Sequence, residues 1–130
     1  VDFGQISTRT LYAEGKSQPK AFVIELQDCS TDVFNSVTVT FSGTENTNMS
    51  DRLAITPVAP QTASGIGIGF EESNGTAILL NTPTTAVAIS DANMQLNFKA
   101  FVEGEPDALS NKTLETGAFQ ATANYTLNYQ

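Results

Sequence analysis

The chain has 130 residues, a formal net charge of -8 and no histidine, and 40% of its residues are hydrophobic. This length fits one domain with a substantial core, so we predict a single domain over residues 1–130. The negative charge excludes nucleic-acid binding, because phosphates would be repelled, and no apolar run is long enough to span a bilayer.

The chain lacks the residues that most catalytic sites need. Without histidine, neither a Ser-His-Asp nor a Cys-His nucleophile can be assembled, and zinc has no histidine ligand. Carboxylates such as Asp28 and Glu71 fall at predicted strand ends or in loops, where a solvated role is typical. Gly65, Gly67 and Gly69 are spaced by two, which fits a strand and not a phosphate-binding loop. We therefore predict a protein that is not an enzyme and that uses no metal and no cofactor.

The N-terminal half of the chain reads as strands separated by turns. Apolar residues spread over residues 1–11 indicate a strand that changes face part-way, and residues 15–19 indicate a turn. Apolar and polar residues alternate in residues 21–28 and again in 37–43, as expected of half-buried strands. Residues 45–52 form a polar loop with room for one helical turn.

The C-terminal half continues the same pattern. Isoleucine and phenylalanine alternate with glycine over residues 65–71, and the following Asn74-Gly75 pair is a strong hairpin signal. Further strands are predicted at 76–80, 86–89 and 94–102, followed by a loop at 104–111. No helical period of useful length is present, so the chain is predicted to be an all-β, immunoglobulin-like sandwich.

The segment from Gly117 to Gln130 carries the clearest pattern. Because strand side chains alternate between faces, its period of two predicts one long strand with a polar face and an apolar face. The even positions, Gln120 to Asn128, are expected to face solvent. The odd positions are expected to face the core, and they are Phe119, Ala121, Ala123, Tyr125, Leu127 and Tyr129. With no later strand to cover its flank, such a strand implies a partner outside the chain.

Cys29 is the one cysteine in the sequence, so no disulfide can form within it. Two interpretations remain open from the residues alone. Cys29 is either a buried free thiol or half of a disulfide whose partner precedes Val1.

Taken together, these segments resemble the pilins of the chaperone–usher pathway, close to the type 1 fimbrial subunits. The most specific feature is a glycine fourteenth from the end, alternating hydrophobic residues and a penultimate tyrosine, positions held here by Gly117 and Tyr129. The other matching segments are residues 1–6, 22–29, 37–43 and 65–70.

The resemblance implies a sandwich that lacks its final strand and has an open groove beside the C-terminal strand. A periplasmic chaperone would fill the groove first, and the N-terminal extension of a neighbouring subunit would replace it after delivery to an outer-membrane usher. The six odd-numbered residues named above would form one groove wall. Gly117, Tyr129 and Gln130 would form the chaperone-recognition motif, with the Gln130 carboxylate bound by basic chaperone residues.

The resemblance also implies a cysteine partner for Cys29 upstream of Val1, together with an N-terminal donor extension. We therefore expect an N-terminally shortened pilin domain that belongs to an extracellular fimbria of a Gram-negative bacterium. The alternative is a tip or receptor-binding adhesin of the same system. That function would need a lectin domain or an exposed aromatic cluster, for which Phe34 and Tyr12 are the candidates. The sequence identifies no host receptor.

Overall fold

The computed structural model describes residues 3, 8–26, 35–58, 63–89, 93–115 and 117–130. These residues contain ten strands and two short helices, joined by turns and loops. In chain order they are α1 (Thr8–Glu14), β1 (Lys20–Leu26), β2 (Ser36–Gly43), β3 (Leu53–Ala54), β4 (Thr56–Pro57), β5 (Ile66–Glu72), β6 (Ala77–Ile78), β7 (Val87–Ala88), β8 (Met94–Gly104), α2 (Pro106–Asn111), β9 (Phe119–Gln120) and β10 (Ala123–Tyr129). No helix among these residues is long and apolar enough to cross a membrane.

The strands form two main sheets and one short pair. The first sheet has the order β1-β8-β5-β3, with β6 paired to β5. The second has the order β10-β2-β7, and β4 pairs with β9 separately. Every pairing is antiparallel.

The core lies between the two main sheets, where their inward side chains meet. Phe41 of β2 stacks on Phe70 of β5 with ring centroids 4.8 Å apart. The same Phe41 ring meets Phe98 of β8 edge-on at 5.3 Å. Val39 and Val102, one from each sheet, are almost fully buried. This packing of one sheet on another confirms the predicted all-β, immunoglobulin-like sandwich.

The predicted hairpin at Asn74-Gly75 is confirmed, since β5 and β6 are the two strands that it joins. Gly75 has a φ of +92°, in the left-handed region that glycine enters without steric cost. The Asn74 side chain accepts a hydrogen bond from the Thr76 N–H at 2.9 Å, which closes the turn.

The first predicted strand is wrong for residues 8–11, which belong to helix α1. Leu11 is buried, so one apolar side chain anchors the helix to the core. Gly15 ends the helix with a φ of +82°, and its N–H donates to the Leu11 carbonyl at 2.8 Å. A helix of two turns offers too few positions for a helical period to appear in the sequence.

The loop predicted at 104–111 is also wrong, because Pro106–Asn111 form helix α2. Proline fixes φ near its helical value and has no N–H to satisfy, which suits the first turn of a helix. Lys112 closes the helix in the left-handed region, and its N–H donates to the Ala108 carbonyl. In the sequence, the Glu105-Pro106 dipeptide is the available indication that a helix begins at this point.

The predicted terminal strand is interrupted at Ala121 and Thr122, which belong to neither β9 nor β10. The interruption occurs where the chain changes partner: β9 pairs with β4, whereas β10 pairs with β2. The alternation in the sequence survives because both segments are extended and stay in phase. A period of two therefore shows that the backbone is extended, but it does not show which sheet the backbone joins.

Candidate strand-binding groove

One edge of β10 pairs with β2 over seven residues, from Ala123 opposite Gly43 to Tyr129 opposite Val37. No strand in the described part of the chain pairs with the other edge of β10. An unpaired strand edge offers a row of backbone donors and acceptors to any extended segment that reaches it.

The register shows which backbone groups of β10 face that open edge. Ser36 and Gln130 exchange two hydrogen bonds, at 3.0 and 2.8 Å. Because hydrogen-bonded and non-hydrogen-bonded pairs alternate in an antiparallel ladder, Asn124, Thr126 and Asn128 also direct their N–H and C=O groups toward β2. The backbone groups of the odd residues from Ala123 onward therefore point away from β2.

Strand β1 provides a second edge on the same side of the molecule. It ends the first sheet, and its one strand partner among the described residues is β8. Phe22 and Ile24 point inward from it, whereas Val23 is 47% exposed. The space between β1 and β10 thus lies between the edges of two different sheets.

A groove of about 420 Å³ opens between these edges. Most of its lining side chains are apolar, and Gln120 and Tyr125 add an amide and a hydroxyl group. The remaining lining residues are Phe3, Phe22, Val23, Ile24, Phe41, Leu53, Ile68, Phe70, Ala100, Phe119, Ala121 and Ala123. A lining with this many aliphatic and aromatic side chains is suited to bind apolar side chains.

Core aromatic rings form the floor of the groove. Phe22 lies 6.2 Å from Phe41 and 6.1 Å from Phe70, in edge-to-face geometry with both. Phe22 is only half-buried, although its two partners are buried. The hydrophobic core of the sandwich is therefore accessible from outside at this point.

The structure brings together four of the predicted wall residues, since Phe119, Ala121, Ala123 and Tyr125 all line the groove. Leu127 is half-buried and packs on the core, but it is not a lining residue of the groove. The even positions from Gln120 to Asn128 are all exposed, as predicted. The odd positions differ from the prediction at three places, because Ala121, Tyr125 and Tyr129 are exposed rather than packed on the core. No strand covers them in the described structure.

The predicted chaperone-recognition residues lie at the two ends of this segment. Gly117 has a φ of +140°, in the region that favours glycine, two residues before β9 begins. Tyr129 is 37% exposed at the end of β10. The Gln130 carbonyl oxygen accepts hydrogen bonds from the Asn35 and Ser36 N–H groups at 2.6 and 3.0 Å. Cys29, the predicted disulfide residue, lies outside the described residues.

Sequence reasoning missed the half of the groove that lies beyond the terminal strand. The alternation predicts strands at residues 21–28, 37–43 and 65–71, but it does not predict that Phe22, Phe41 and Phe70 meet at one groove. No signal in the sequence identifies this half of the groove, because only the sheet order places Phe22 on an edge strand, where its ring remains half-exposed.

The other candidate sites were a metal site and the two aromatic residues of the adhesin alternative. Among the described residues, no group of cysteine, aspartate and glutamate side chains is arranged to hold a metal ion. Tyr12 is 37% exposed, and its hydroxyl oxygen accepts a hydrogen bond from the Leu114 N–H at 3.1 Å. The other adhesin candidate, Phe34, lies outside the described residues.

Comparison with known proteins identifies the family of the chain and proteins of similar fold. The family described as Fimbrial protein matches residues 1–130. The protein named minor fimbrial subunit PmfF, from Proteus mirabilis (strain HI4320), is 41% identical over 130 residues, which cover the whole of this chain and 71% of PmfF.

Two solved structures share the fold. The crystal structure of the P pilus rod subunit PapA has a TM-score of 0.80 and 27% identity, covering all of this chain and 91% of PapA. A chaperone–usher pilus structure that explains rod uncoiling has a TM-score of 0.78 and 27% identity, covering all of this chain and 80% of the matched chain.

Proposed function

This chain belongs to the fimbrial protein family, and from that membership we propose that the groove beside β10 accepts a donor strand from a neighbouring subunit. The chain is a structural subunit of an extracellular fimbria of the chaperone–usher type, and its relatives are structural subunits and not enzymes. The mode of assembly, the residues that carry it and the route to the cell surface are the proposal.

The open edge of β10 is the observation that carries the proposal. The outward backbone groups of Ala123, Tyr125 and Leu127 supply a ladder for one more strand, and the groove beside them supplies apolar contacts. Adding a strand at an exposed edge combines main-chain hydrogen bonds for affinity with pockets for alternate side chains for specificity. Chaperone–pilin complementation is a known example of this mode.

The apolar surface of the groove is large enough for a bound donor strand to stabilise the chain strongly. A donor with apolar residues at alternate positions would cover about four side chains, each contributing about 1.5–3 kcal/mol when fully buried. Ordering the donor offsets part of this gain. A surplus of several kcal/mol would still raise the melting temperature by roughly tens of degrees in a domain of this size.

A periplasmic chaperone is the proposed first occupant. Before assembly, an open edge beside an exposed core favours aggregation, so a protecting strand is needed between secretion and the usher. Gly117, Tyr129 and Gln130 are the residues proposed for chaperone recognition, since they lie at the two ends of the groove-wall segment. A neighbouring subunit then supplies the permanent strand. The relatives that are named as minor or rod subunits give the tip-adhesin alternative less support.

Two peptides that differ only in register test the donor-strand proposal. Each is mixed with the chain, and thermal unfolding is followed by circular dichroism. The first alternates apolar and polar residues so that its apolar face meets the groove, and it should raise the melting temperature strongly. The second is shifted by one residue, presents its polar face and should have almost no effect. Equal effects from both peptides, or no effect from either, would overturn the proposal.

A further inference from the structure

A buried asparagine fastens the loop between β2 and β3 onto the outer surface of the first sheet. Asn46 is 8% exposed, and its Nδ2 donates to the Ile66 carbonyl at 3.1 Å and to Glu105 Oε2 at 2.9 Å. Its Oδ1 accepts from the N–H groups of Asn48 and Met49 at 2.7 and 3.1 Å. One side chain thus links the loop to β5 and to the segment that follows β8.

An ion pair fastens the other end of the same loop. Arg52 Nε donates to Glu103 Oε2 of β8 at 2.7 Å, and both side chains are mostly buried. The Arg52 guanidinium also lies over the Phe101 ring, 5.4 Å from its centroid. We call the four side chains of Asn46, Arg52, Glu103 and Glu105 the polar anchor.

The polar anchor is continuous with the groove through the next residues of the chain. Leu53 directly follows Arg52, is 2% exposed and lines the groove. Strand β4 comes next and pairs with β9, with Pro57 opposite Phe119. The Val58 N–H extends this contact by donating to the Ala118 carbonyl at 2.9 Å.

The two ends of the groove wall are therefore held by different parts of the molecule. Strand β10 pairs with the full length of β2. Strand β9 has β4 as its one strand partner among the described residues. Between β4 and the loop that the polar anchor holds lie Ile55 and β3, whose two residues pair with β5. A change in the polar anchor should move Leu53 and Phe119 and leave the β10–β2 ladder in place.

We propose that the polar anchor is a positioning device, which sets the width of the groove at its Phe119 end. By fixing Leu53 and β4, it determines how large a donor side chain that end accepts. The inference rests on the proposed donor-strand function, and it assigns Asn46 and Glu105 a role although neither lines the groove.

Hydrogen exchange in the free chain tests the positioning role without a donor strand. Asn46→Asp replaces the amide group that donates a hydrogen bond to Glu105 with a second carboxylate. It should accelerate exchange of the Val58 N–H at least about tenfold, because it removes the Nδ2 hydrogen bonds to Glu105 and to the Ile66 carbonyl. Exchange of the Thr126 N–H, in the β10–β2 ladder, should not change.

Asn97→Asp is the matched control, because Asn97 is exposed on β8 and outside the polar anchor. It makes the same change of side chain and charge at an exposed position of the first sheet and should leave both exchange rates unchanged. Combining Asn46→Asp with Glu105→Gln restores a hydrogen-bond donor and an acceptor between the two side chains. The double variant should therefore recover part of the protection of the Val58 N–H against exchange. If Asn46→Asp does not fold, Glu105→Gln alone provides the milder change for the same comparison.

Donor binding tests the effect on side-chain size. Affinity is measured for a synthetic peptide of alternating valine and threonine and for two versions with alanine at the first or the last valine. Asn46→Asp should weaken the all-valine peptide about tenfold and one of the two alanine versions much less, because the two changes then affect one contact. The alanine in that version marks the peptide end that is seated at the Phe119 end of the groove.

Equal losses for all three peptides, or faster exchange at Val58 and Thr126 alike, would show that Asn46 only stabilises the fold, and would overturn the inference. If the unaltered chain binds none of the peptides, the donor-strand proposal fails. The exchange rates at Val58 and Thr126 then decide the positioning role alone.

Discussion

Tyr125 and Phe41 lie directly opposite each other on β10 and β2, yet Tyr125 is 53% exposed and Phe41 only 3%. Directly opposed residues in a ladder project to the same face of a sheet. The difference in exposure therefore marks the point where the covered core gives way to the open groove.

Replacing each of these two aromatic residues should affect a different state of the protein. Tyr125→Ala should change the free energy of unfolding of the free chain by less than about 0.5 kcal/mol, because the ring is largely in solvent. It should remove about 1.5–3 kcal/mol of the stabilisation that a donor peptide gives. Phe41→Ala is the contrasting variant and should cost about 3–5 kcal/mol in the free chain. Denaturant unfolding with and without peptide measures both, and a large loss for Tyr125→Ala without peptide would contradict the open-groove geometry.

Filling the groove from within should block the donor. Ala123 is half-buried and lines the groove, whereas its neighbour Asn124 is exposed on the opposite face of β10. Ala123→Phe should therefore abolish most of the peptide-induced rise in melting temperature. Asn124→Phe introduces the same ring on the outward face and should retain that rise. Loss of the rise in both variants would indicate general damage to β10 rather than occupation of the groove.

Chaperone capture should depend on Tyr129 and not on aromatic exposure in general. Tyr129 and Tyr12 are each 37% exposed, which makes them a matched pair. Tyr129→Ser should lower co-purification with the periplasmic chaperone about tenfold, as expected when an aromatic residue that anchors an interface is truncated. Tyr12→Ser should leave it unchanged. Undiminished capture of the Tyr129→Ser chain would remove this residue from the recognition motif.

The glycine face of β5 leaves little room for a side chain. A Cβ at Gly67 would lie 2.8 Å from the Met49 methyl carbon and 3.3 Å from Arg52 Cβ. Gly67→Ala should therefore destabilise the chain by about 1–3 kcal/mol through overpacking. Ser73→Ala, in the exposed turn after β5, is the control and should change stability by less than about 0.5 kcal/mol. Thermal or denaturant unfolding distinguishes the two, and equal stability would mean that the covering loop moves away at little cost.

The sandwich was predictable from the sequence because its strands carry local signals. The alternation in β2, in β8 and in β10 reflects burial on one face, and the Asn74-Gly75 turn has its own backbone chemistry. The two helices were not predictable in the same way. Each is held mainly by one buried residue, Leu11 or Ala108, and is too short to show a period.

The groove was predictable on one side only. The wall residues from Phe119 to Tyr125 share the alternation of a single segment, so the pattern itself identifies them. The opposite side combines Phe22 of β1 and Leu53 of β3 with Ile68 of β5, which are brought together by sheet order alone. No local pattern records which strand becomes an edge. The interruption at Ala121 was missed for the same reason, because a change of pairing partner leaves the polarity of the residues unaltered.

The seven-residue ladder between β10 and β2 has a mechanical consequence. Hydrogen bonds in an antiparallel ladder lie perpendicular to the strands. A donor strand on the free edge of β10 would place β10 between two such ladders. If the donor that joins two subunits runs along the fibre, tension on the fibre would pull it along its own axis. Tension in that direction loads every bond of a ladder at the same moment, whereas peeling from one end breaks the bonds in succession. A fibre of such subunits would therefore resist stretching at each junction without any covalent link between its subunits.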